Sequence, residues 1–170
     1  LDRGGIAKGE IAQEVIDRLK RSGMTQALAD AGGYMVMSKE PNGSQGHKGW
    51  IIGVNVPEST DDLLPRKLAL QNMSVATSGD AYQYIEHNGI KYSHIIDPRT
   101  GYGISSQRNV TVIARDGTDA DWLATACSIL PIPIAKKIAQ ANKAEVLITE
   151  LRNGKVVYYS TKNFKHYWKS

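Results

Sequence analysis

A carboxylate and a hydroxyl stand four residues apart in the stretch TDADWLATA, at Asp121 and Thr125. In a helix, which this stretch predicts, side chains four residues apart lie on one face, one turn from each other. Two hard oxygen donors in that arrangement suit Mg²⁺, which takes few protein ligands and fills its octahedral shell with water and phosphate oxygens. The alternative is that Asp119 or Asp121 caps the helix while Thr125 hydrogen-bonds to a backbone carbonyl, and the local pattern alone favours that alternative.

Glycines crowd the stretch GGIAKG, which runs from Gly4 to Gly9 just before a predicted helix. Glycine lets a backbone approach a ligand closely, and the free N–H groups of a first helical turn favour a phosphate. Lys8 would add a positive charge at the same place. A glycine pattern this loose is also typical of a tight strand-to-helix turn, which is what the pattern alone favours.

The stretch SHIIDPRTGYG, which begins at Ser93, places polar side chains around one proline. Proline cannot continue a central strand, so HIID should end a strand and PRTG should turn. His94 could then carry a proton near neutral pH, and Arg99 with the Thr100 hydroxyl could hold a phosphate. Considered alone, the stretch favours a simpler structure, in which Asp97 makes an Asx-turn and Arg99 points into water.

Other reactive side chains give weaker signals. His47, His87 and His166 lie in polar or terminal stretches without ligand spacing, which gives zinc little support. Ser78, in ATSGD, lacks the G-x-S-x-G frame of a nucleophile elbow, so that stretch is interpreted as a turn. Cys127 sits in the apolar stretch DWLATACSIL, where burial is favoured over reactivity.

Three helices are predicted to position these side chains. The first is KGEIAQEVIDRLKRSG, with apolar residues at helical spacing and a glycine C-cap, at Ile11, Val15, Ile16, Leu19 and Gly23. The second is TDADWLATACSIL, and the third is PIPIAKKIAQAN, which begins with two prolines.

The remaining stretches predict strands arranged as neighbouring hairpins. Asn88-Gly89 and Asn153-Gly154 each stand between two β-prone runs, which is a strong hairpin signal. TQALADAGGYMVM is predicted to form two short strands around a double-glycine bend, and WIIGVNV a strand that pairs with them in a hairpin. DDLLPRKLALQNMSVATSGD is predicted as one extended stretch, RNVTVIARDG as a strand, and NFKHYW as a short final strand. Hairpins between helices indicate an α+β fold rather than a doubly wound parallel sheet.

Length and composition limit the class of protein. The 170 residues suit one domain, 1–170, and 41% hydrophobic with 22% charged residues is typical of a globular protein. No apolar run approaches the ~20 residues that a membrane helix needs. The net charge of +4 is scattered and only one Phe is present, so nucleic acid is not an expected partner. The chain opens at Leu1 directly on the glycine-rich stretch, which predicts a C-terminal fragment of a longer protein.

Taken together and in this order, the stretches DRGGIAKG, ADAGG, GWIIGV, ATSGD, YSHIIDPRTGYG and ADWLATA closely resemble the ApbE family, the FAD:protein FMN transferases. The resemblance runs from Asp2 to about Leu130. It implies an α+β fold related to the tunnelling fold, with a mixed, mainly antiparallel sheet and helices packed on it. It also implies that the N-terminal part of the domain is missing here. The implied reaction moves FMN from FAD, with Mg²⁺, to a Thr or Ser hydroxyl of a target flavoprotein and releases AMP.

The same resemblance implies roles for individual residues. Mg²⁺ would be held by the Gly5 carbonyl and the side chains of Asp121 and Thr125, which joins two local signals into one site. The residues implied to contact FAD are Asp2, Lys8, His94, Ile96 and Thr100. His94 is the candidate for assisting deprotonation of the acceptor hydroxyl, and the alternative for it is a structural hydrogen bond that organises the DPRTG turn.

Some positions depart from the family pattern. Gly5 stands where many relatives carry Ala, Tyr34 where an acid often follows the double glycine, and Gly103 where a proline is common. Trp122 replaces a small residue between the two helical metal ligands. Tyr34 and Trp122 are therefore expected to reshape the flavin pocket.

Two other functions stay open, a Mg²⁺-dependent FAD pyrophosphatase that yields FMN and AMP, and a non-catalytic flavin-binding module. The resemblance implies a periplasmic location, or membrane anchoring on the outer side of the bacterial inner membrane, with no membrane span in this chain. A fragment of this kind would expose strand edges, and we expect copies to self-associate through them.

Overall fold

The computed structural model describes residues 4–39, 49–55, 64, 66–79, 84–105 and 108–169. The helices in these residues are α1 (Ala7–Arg21), α2 (Gly117–Ile129), α3 (Ile132–Ala141) and a 3-10 helix η1 (Phe164–Tyr167). The strands are β1 (Leu28–Asp30), β2 (Tyr34–Met37), β3 (Trp50–Ile52), β4 (Leu68–Leu70), β5 (Met73–Ser78), β6 (Tyr84–His87), β7 (Ile90–Ser93), β8 (Arg108–Ala114), β9 (Glu145–Arg152) and β10 (Lys155–Ser160).

One six-stranded sheet organises these elements. Its strand order is β1-β2-β5-β8-β9-β10, and each neighbouring pair is antiparallel. Two further pairs of strands, β3-β4 and β6-β7, lie outside this sheet. The predicted α+β fold with a mainly antiparallel sheet is therefore confirmed.

The central strand β8 is covered on both faces. Val110 and Val112 belong to a cluster of buried apolar residues that also contains residues of α2 and α3. Ile113 points the other way, into a second cluster with Leu68 and Phe164, because successive side chains of a strand face opposite sides of the sheet. Helix α2 packs against β5 and β8 on the first of these faces, which fixes the positions of its polar side chains.

Helix α1 confirms the first predicted helix, but its apolar face is narrower than predicted. Ala12 and Ile16 are buried, whereas Ile11 and Val15 are 60% and 42% exposed. The reason is that α1 packs against the rest of the protein along one narrow row of residues, Gly9, Ala12 and Ile16. Side chains beside this row remain exposed to solvent. Gly23, with φ +85°, follows the helix end in the left-handed conformation, as predicted for a C-cap glycine.

The pairing of β3 differs from the prediction. It pairs with β4, whereas β2 pairs with β1 and β5, so the predicted hairpin of WIIGVNV with the preceding strands is wrong. The predicted single extended stretch is divided into β4 and β5, with Asn72 in the left-handed region (φ +51°) between them. Burial far along the chain decides this pairing, because Ile52, Leu68 and Leu70 all enter the second apolar cluster.

The tail of the chain also differs, since NFKHYW forms η1 rather than a final strand. Phe164 is fully buried, and its ring meets the Trp168 ring edge-on with centroids 5.4 Å apart. Bringing these two rings together requires a helical turn. A single β-bridge from Trp168 to Leu68 is the strand-like contact that the described tail makes.

Both predicted Asn-Gly hairpins are confirmed. Asn88 and Gly89 have φ +52° and +74°, and Asn153 and Gly154 have φ +51° and +70°, which is the turn geometry that these dipeptides favour.

Each described helix is too short or too polar to span a lipid bilayer.

Candidate functional site

Two glycines bring α1 and α2 into unusually close contact. A Cβ atom on Gly9 would overlap the carbonyl oxygen of Gly117, and one on Gly117 would overlap the carbonyl oxygen of Gly9 and lie 2.7 Å from Val36 Cγ2. Glycine is therefore required on both helices by the close approach of the two backbones. The crossing lays the turn at the start of α1 against the middle of α2.

Asp121 lies inside this helix crossing and is fully buried. The Gly9 backbone N–H donates to its Oδ2 at 2.9 Å, while its Oδ1 is buried without a hydrogen-bond partner among the described residues. Burial raises the pKa of Asp121, and the Gly9 N–H and the Lys8 ammonium counteract part of that rise. A buried carboxylate oxygen without a partner costs free energy, so its presence calls for a ligand.

The predicted capping role for the helix carboxylates is wrong. Asp116 caps α2, accepting from the backbone N–H groups of Thr118 and Asp119 at 2.8 and 3.3 Å. The Asp119 side chain instead accepts from the indole N–H of Trp122 at 3.0 Å. Asp121 therefore does not cap α2, and its carboxylate remains a candidate metal ligand.

Thr125 follows Asp121 by one helical turn and meets the glycine-rich turn. A Cβ placed on Gly5 would be 3.4 Å from Thr125 Cγ2 and 3.5 Å from its Oγ1. The Gly5 backbone therefore lies beside the Thr125 side chain, and Asp121 stands one helical turn before Thr125. A backbone carbonyl, a carboxylate and a hydroxyl are all hard oxygen donors of the kind that Mg²⁺ prefers. The described residues contain no group of three His, Cys, Asp or Glu side chains that could hold a metal, which is compatible with a site that uses one carboxylate.

A cleft of about 400 Å³ opens beside these groups. It lies between the start of α1, the end of β5, the segment after β7 and the C-terminal half of α2. The residues that line it are Gly4, Gly5, Lys8, Tyr34, Ser78, His94, Ile95, Ile96, Thr125 and Ile129. Of the predicted site residues, Gly5, Lys8, His94, Ile96 and Thr125 are therefore gathered around one cleft.

Lys8 is oriented by an aromatic ring. Its Nζ lies 4.8 Å from the centroid of the Tyr34 ring, which is a cation–π distance. Tyr34 is half-buried, and its burial, with the nearby Asp121 carboxylate, raises the pKa of the phenol. The Lys8 ammonium is thus held at the cleft wall by a neutral side chain.

The DPRTG turn makes its hydrogen bonds internally. The Arg99 backbone N–H and Nε donate to Asp97 Oδ1 at 2.9 and 3.0 Å, which confirms the predicted Asx-turn. Arg99 Nη2 also lies 2.7 Å from Asp97 Oδ2, and this ion pair lowers the pKa of Asp97. The Arg99 side chain forms this ion pair at the surface and is 62% exposed, so the predicted solvent-exposed Arg99 is confirmed.

One predicted flavin contact, Thr100, does not line the cleft, and another, Asp2, is not described by the structure. The Thr100 hydroxyl accepts from the Tyr102 backbone N–H at 3.2 Å and lines a separate depression with Tyr92 and Tyr102. Asp2 lies outside the described residues. Their predicted contacts with FAD stay predictions.

The sequence interpretation missed Ser78 as a cleft residue, whereas Tyr34, which it singled out as a departure from the family pattern, lines the cleft and Trp122 does not. Ser78 ends strand β5 and is 4% exposed, so the interpretation of ATSGD as a plain turn is wrong at this residue. The signal was present, because the run MSVATS has the β-branched and small residues of a buried strand. Tyr34 begins β2 directly after two glycines with positive φ, and nothing local indicates that it faces Lys8.

Comparisons with known proteins bear on this cleft. A family model described as the ApbE family matches residues 1–148. A protein from Treponema pallidum named FAD:protein FMN transferase is 34% identical over 136 residues, covering 76% of this chain and 38% of that protein. One of the same name from Haemophilus influenzae is 33% identical over 164 residues, covering 95% of this chain and 46% of that protein.

A solved structure shares the fold. The crystal structure of the ApbE protein from Thermotoga maritima has a TM-score of 0.86 at 30% identity, over 98% of this chain and 53% of that chain. The present chain therefore spans about half the length of the relatives that it matches.

Proposed function

This chain belongs to the ApbE family, and we propose that it carries the metal and diphosphate side of an enzyme that transfers FMN from FAD to a protein hydroxyl. The observation that carries the proposal is the buried Asp121 Oδ1, which has no hydrogen-bond partner among the described residues and belongs to the residue one helical turn before Thr125, the side chain that meets Gly5. A transferase that acts on a diphosphate can use the Gly5 carbonyl, the Asp121 carboxylate and the Thr125 hydroxyl to bind a divalent metal ion.

The residues that would hold Mg²⁺ are Gly5, through its carbonyl, and Asp121 and Thr125, through their side chains. When bound there, the ion would neutralise negative charge on the FAD diphosphate and on the departing AMP. The helix crossing at Gly9 supports the site, because it keeps the glycine-rich turn against α2.

Lys8 would contact the diphosphate from the first turn of α1. Its ammonium is held over the Tyr34 ring, so little side-chain freedom is lost when a phosphate binds. The start of α1 adds the partial positive charge of a helix N-terminus at the same place, although its Gly9 N–H is already donated to Asp121. Lys8 and the helix start thus orient the substrate, and most of the catalysis is positioning and electrostatics.

His94 would serve as the general base. Its side chain is exposed on the cleft wall, where a protein acceptor can reach it. Its neutral imidazole takes the proton of an acceptor Thr or Ser hydroxyl while that oxygen attacks the FMN phosphorus. The new bond is the acceptor O–P bond, the bond that breaks is the P–O bond to AMP, and the proton stays on His94 until the product leaves.

A second reaction is possible because the His94 side of the cleft is exposed to solvent. Because His94 is exposed, water can take the place of the acceptor hydroxyl, and the products are then FMN and AMP. We propose this FAD pyrophosphatase activity as the side reaction that occurs when no acceptor is bound.

The test incubates the chain, and the longest protein that contains it, with FAD, Mg²⁺ and an acceptor flavoprotein domain. Flavin that stays on the acceptor in a denaturing gel is the expected result, and Thr125→Val should reduce it by at least about tenfold. Free FMN and AMP without labelled acceptor would indicate the pyrophosphatase instead. Flavin binding without either product, in both proteins, would indicate a non-catalytic module and contradict the proposal.

Three further expectations stay predictions. They are a single domain over 1–170 within a longer protein, a periplasmic or membrane-anchored location, and self-association through strand edges. The free edges of the main sheet in the described residues are β1 and β10.

A further inference from the structure

A hollow of about 590 Å³ lies beside the turn of the β6-β7 hairpin and the start of β7. The hairpin contributes Lys91 to its wall, the start of β8 contributes Arg108, and the end of β9 contributes Glu150 and Arg152. We call this set the cationic hollow, because three cations face one carboxylate. The described residues that line it are all different from those that line the cleft.

The single carboxylate of the cationic hollow is already fully engaged. Glu150 Oε1 accepts from Arg108 Nε at 2.7 Å and also from Arg108 Nη2, and its Oε2 accepts from Arg152 Nε at 2.8 Å. Arg108 is itself fixed by a hydrogen bond of 2.9 Å from Nη1 to the Leu130 carbonyl, at the end of α2. Glu150 is therefore a structural anchor for two guanidinium groups, and it leaves the hollow with a surplus of positive charge.

Arg152 and Lys91 are the cations that a ligand can reach. The Arg152 side chain is 56% exposed, and its guanidinium lies 5.6 Å from the Tyr159 ring centroid. Lys91 Nζ lies 4.7 Å from the Tyr84 ring centroid. Both charges are held by aromatic rings before a ligand arrives, so binding an anion costs less side-chain entropy. Carboxylates are suitable partners for such a pair.

Apolar side chains beside the cations indicate that the ligand is a protein segment rather than a free ion. On the hairpin, Tyr84, which contacts Lys91, and Ile90, which lines the hollow, are 47% and 46% exposed. A small anion makes no use of such surface, whereas a protein interface combines apolar contacts with a polar rim.

Strand β7 connects the cationic hollow to the cleft. His94 follows Lys91 by three residues, a distance of about 10 Å along an extended chain. We propose that the cationic hollow binds an acidic segment of the acceptor protein and so delivers the acceptor hydroxyl to His94. The identity of the partner as the flavin acceptor rests on the proposed function, whereas the preference for an acidic segment rests on the charges of the hollow alone.

Binding can be measured without turnover, with N-acetyl-tetraglutamate amide as the probe and the ¹⁵N-labelled chain observed by NMR. We expect saturable shifts at Lys91 and Arg152, and an affinity that falls about tenfold in Lys91→Gln or Arg152→Gln, since each variant removes one charge-assisted contact. Lys20→Gln is the matched control, because it removes the same charge from the exposed side of α1 and should bind as the wild type does.

Three outcomes would overturn the inference. If Lys20→Gln weakened peptide binding as much as the two hollow variants do, the weakening would come from net charge alone. If N-acetyl-tetraglutamine amide bound as tightly as the acidic peptide, the carboxylates would have no role in binding. Tighter binding of inorganic phosphate than of the acidic peptide would assign the hollow to a phosphate. Because the probe assay contains no FAD, loss of probe binding and loss of flavin transfer are separate results.

Discussion

Asp121 is the buried carboxylate on which the proposed metal site depends. The sequence predicts its helix and its spacing to Thr125, because both follow from local periodicity. Its full burial and its partnerless Oδ1 depend on the crossing with α1, which no local pattern shows. The contact between Gly5 and Thr125 joins residues that are 120 positions apart in the sequence. Only the resemblance to the ApbE family predicts this contact.

Asp121→Asn should make the metal-free protein more stable, although it removes the proposed ligand. The amide keeps an oxygen for the Gly9 N–H and replaces a buried charge by a neutral group. We expect a gain of about 1 kcal/mol in the free energy of unfolding in urea with EDTA present. A loss of stability in this variant would show that the charge of Asp121 stabilises the fold.

Cys127 should be inert in the folded protein. It is fully buried, and burial raises the pKa of its thiol to about 11. The neutral thiol is the form present at pH 7 to 9, and only the thiolate attacks a thiol reagent. We expect no labelling by a maleimide over this pH range in buffer and full labelling in 8 M urea, measured by intact mass. Rapid labelling of the folded chain would contradict the burial of Cys127.

At the scale of elements, the crossing of α1 and α2 holds the site together. Gly9→Ala places a methyl group against the Gly117 carbonyl oxygen, so the helices must separate. We expect a loss of about 2–3 kcal/mol in the free energy of unfolding, as for other overpacked cores. Gly5→Ala is the matched control, because its methyl group would meet Thr125 at an ordinary contact distance of 3.4 Å. Similar losses for the two variants would contradict the role of the crossing.

Elements governed by local chemistry were predictable, and those governed by distant burial were not. The helices and the Asn-Gly hairpins follow from periodicity and from residues that accept positive φ. The pairing of β3 with β4 follows from Leu68 entering a cluster with Phe164, and these residues are far apart in sequence. The same burial of Phe164 makes the tail helical. Local β-propensity could not indicate either result.

For the molecule as a whole, the exposed apolar side chains of α1 should contribute little to the free energy of unfolding of this chain. Ile11 and Val15 lie outside the core, whereas Ile16 is fully buried. The double variant Ile11→Gln with Val15→Gln should change the free energy of unfolding by less than about 1 kcal/mol. Ile16→Ala should cost about 2–4 kcal/mol in the same urea titration. A large cost for the double variant would mean that this face of α1 is covered in solution.

The most direct test of the metal site is paramagnetic broadening by Mn²⁺ in the ¹⁵N-labelled chain. We expect a saturable loss of amide signals centred on Gly5, Asp121 and Thr125, and we expect Asp121→Asn to abolish it. Asp119→Asn should leave it unchanged, because Asp119 bonds to Trp122 on the same helix. Broadening centred elsewhere in the described residues, or unaffected by Asp121→Asn, would contradict the assignment of a divalent metal to this cleft.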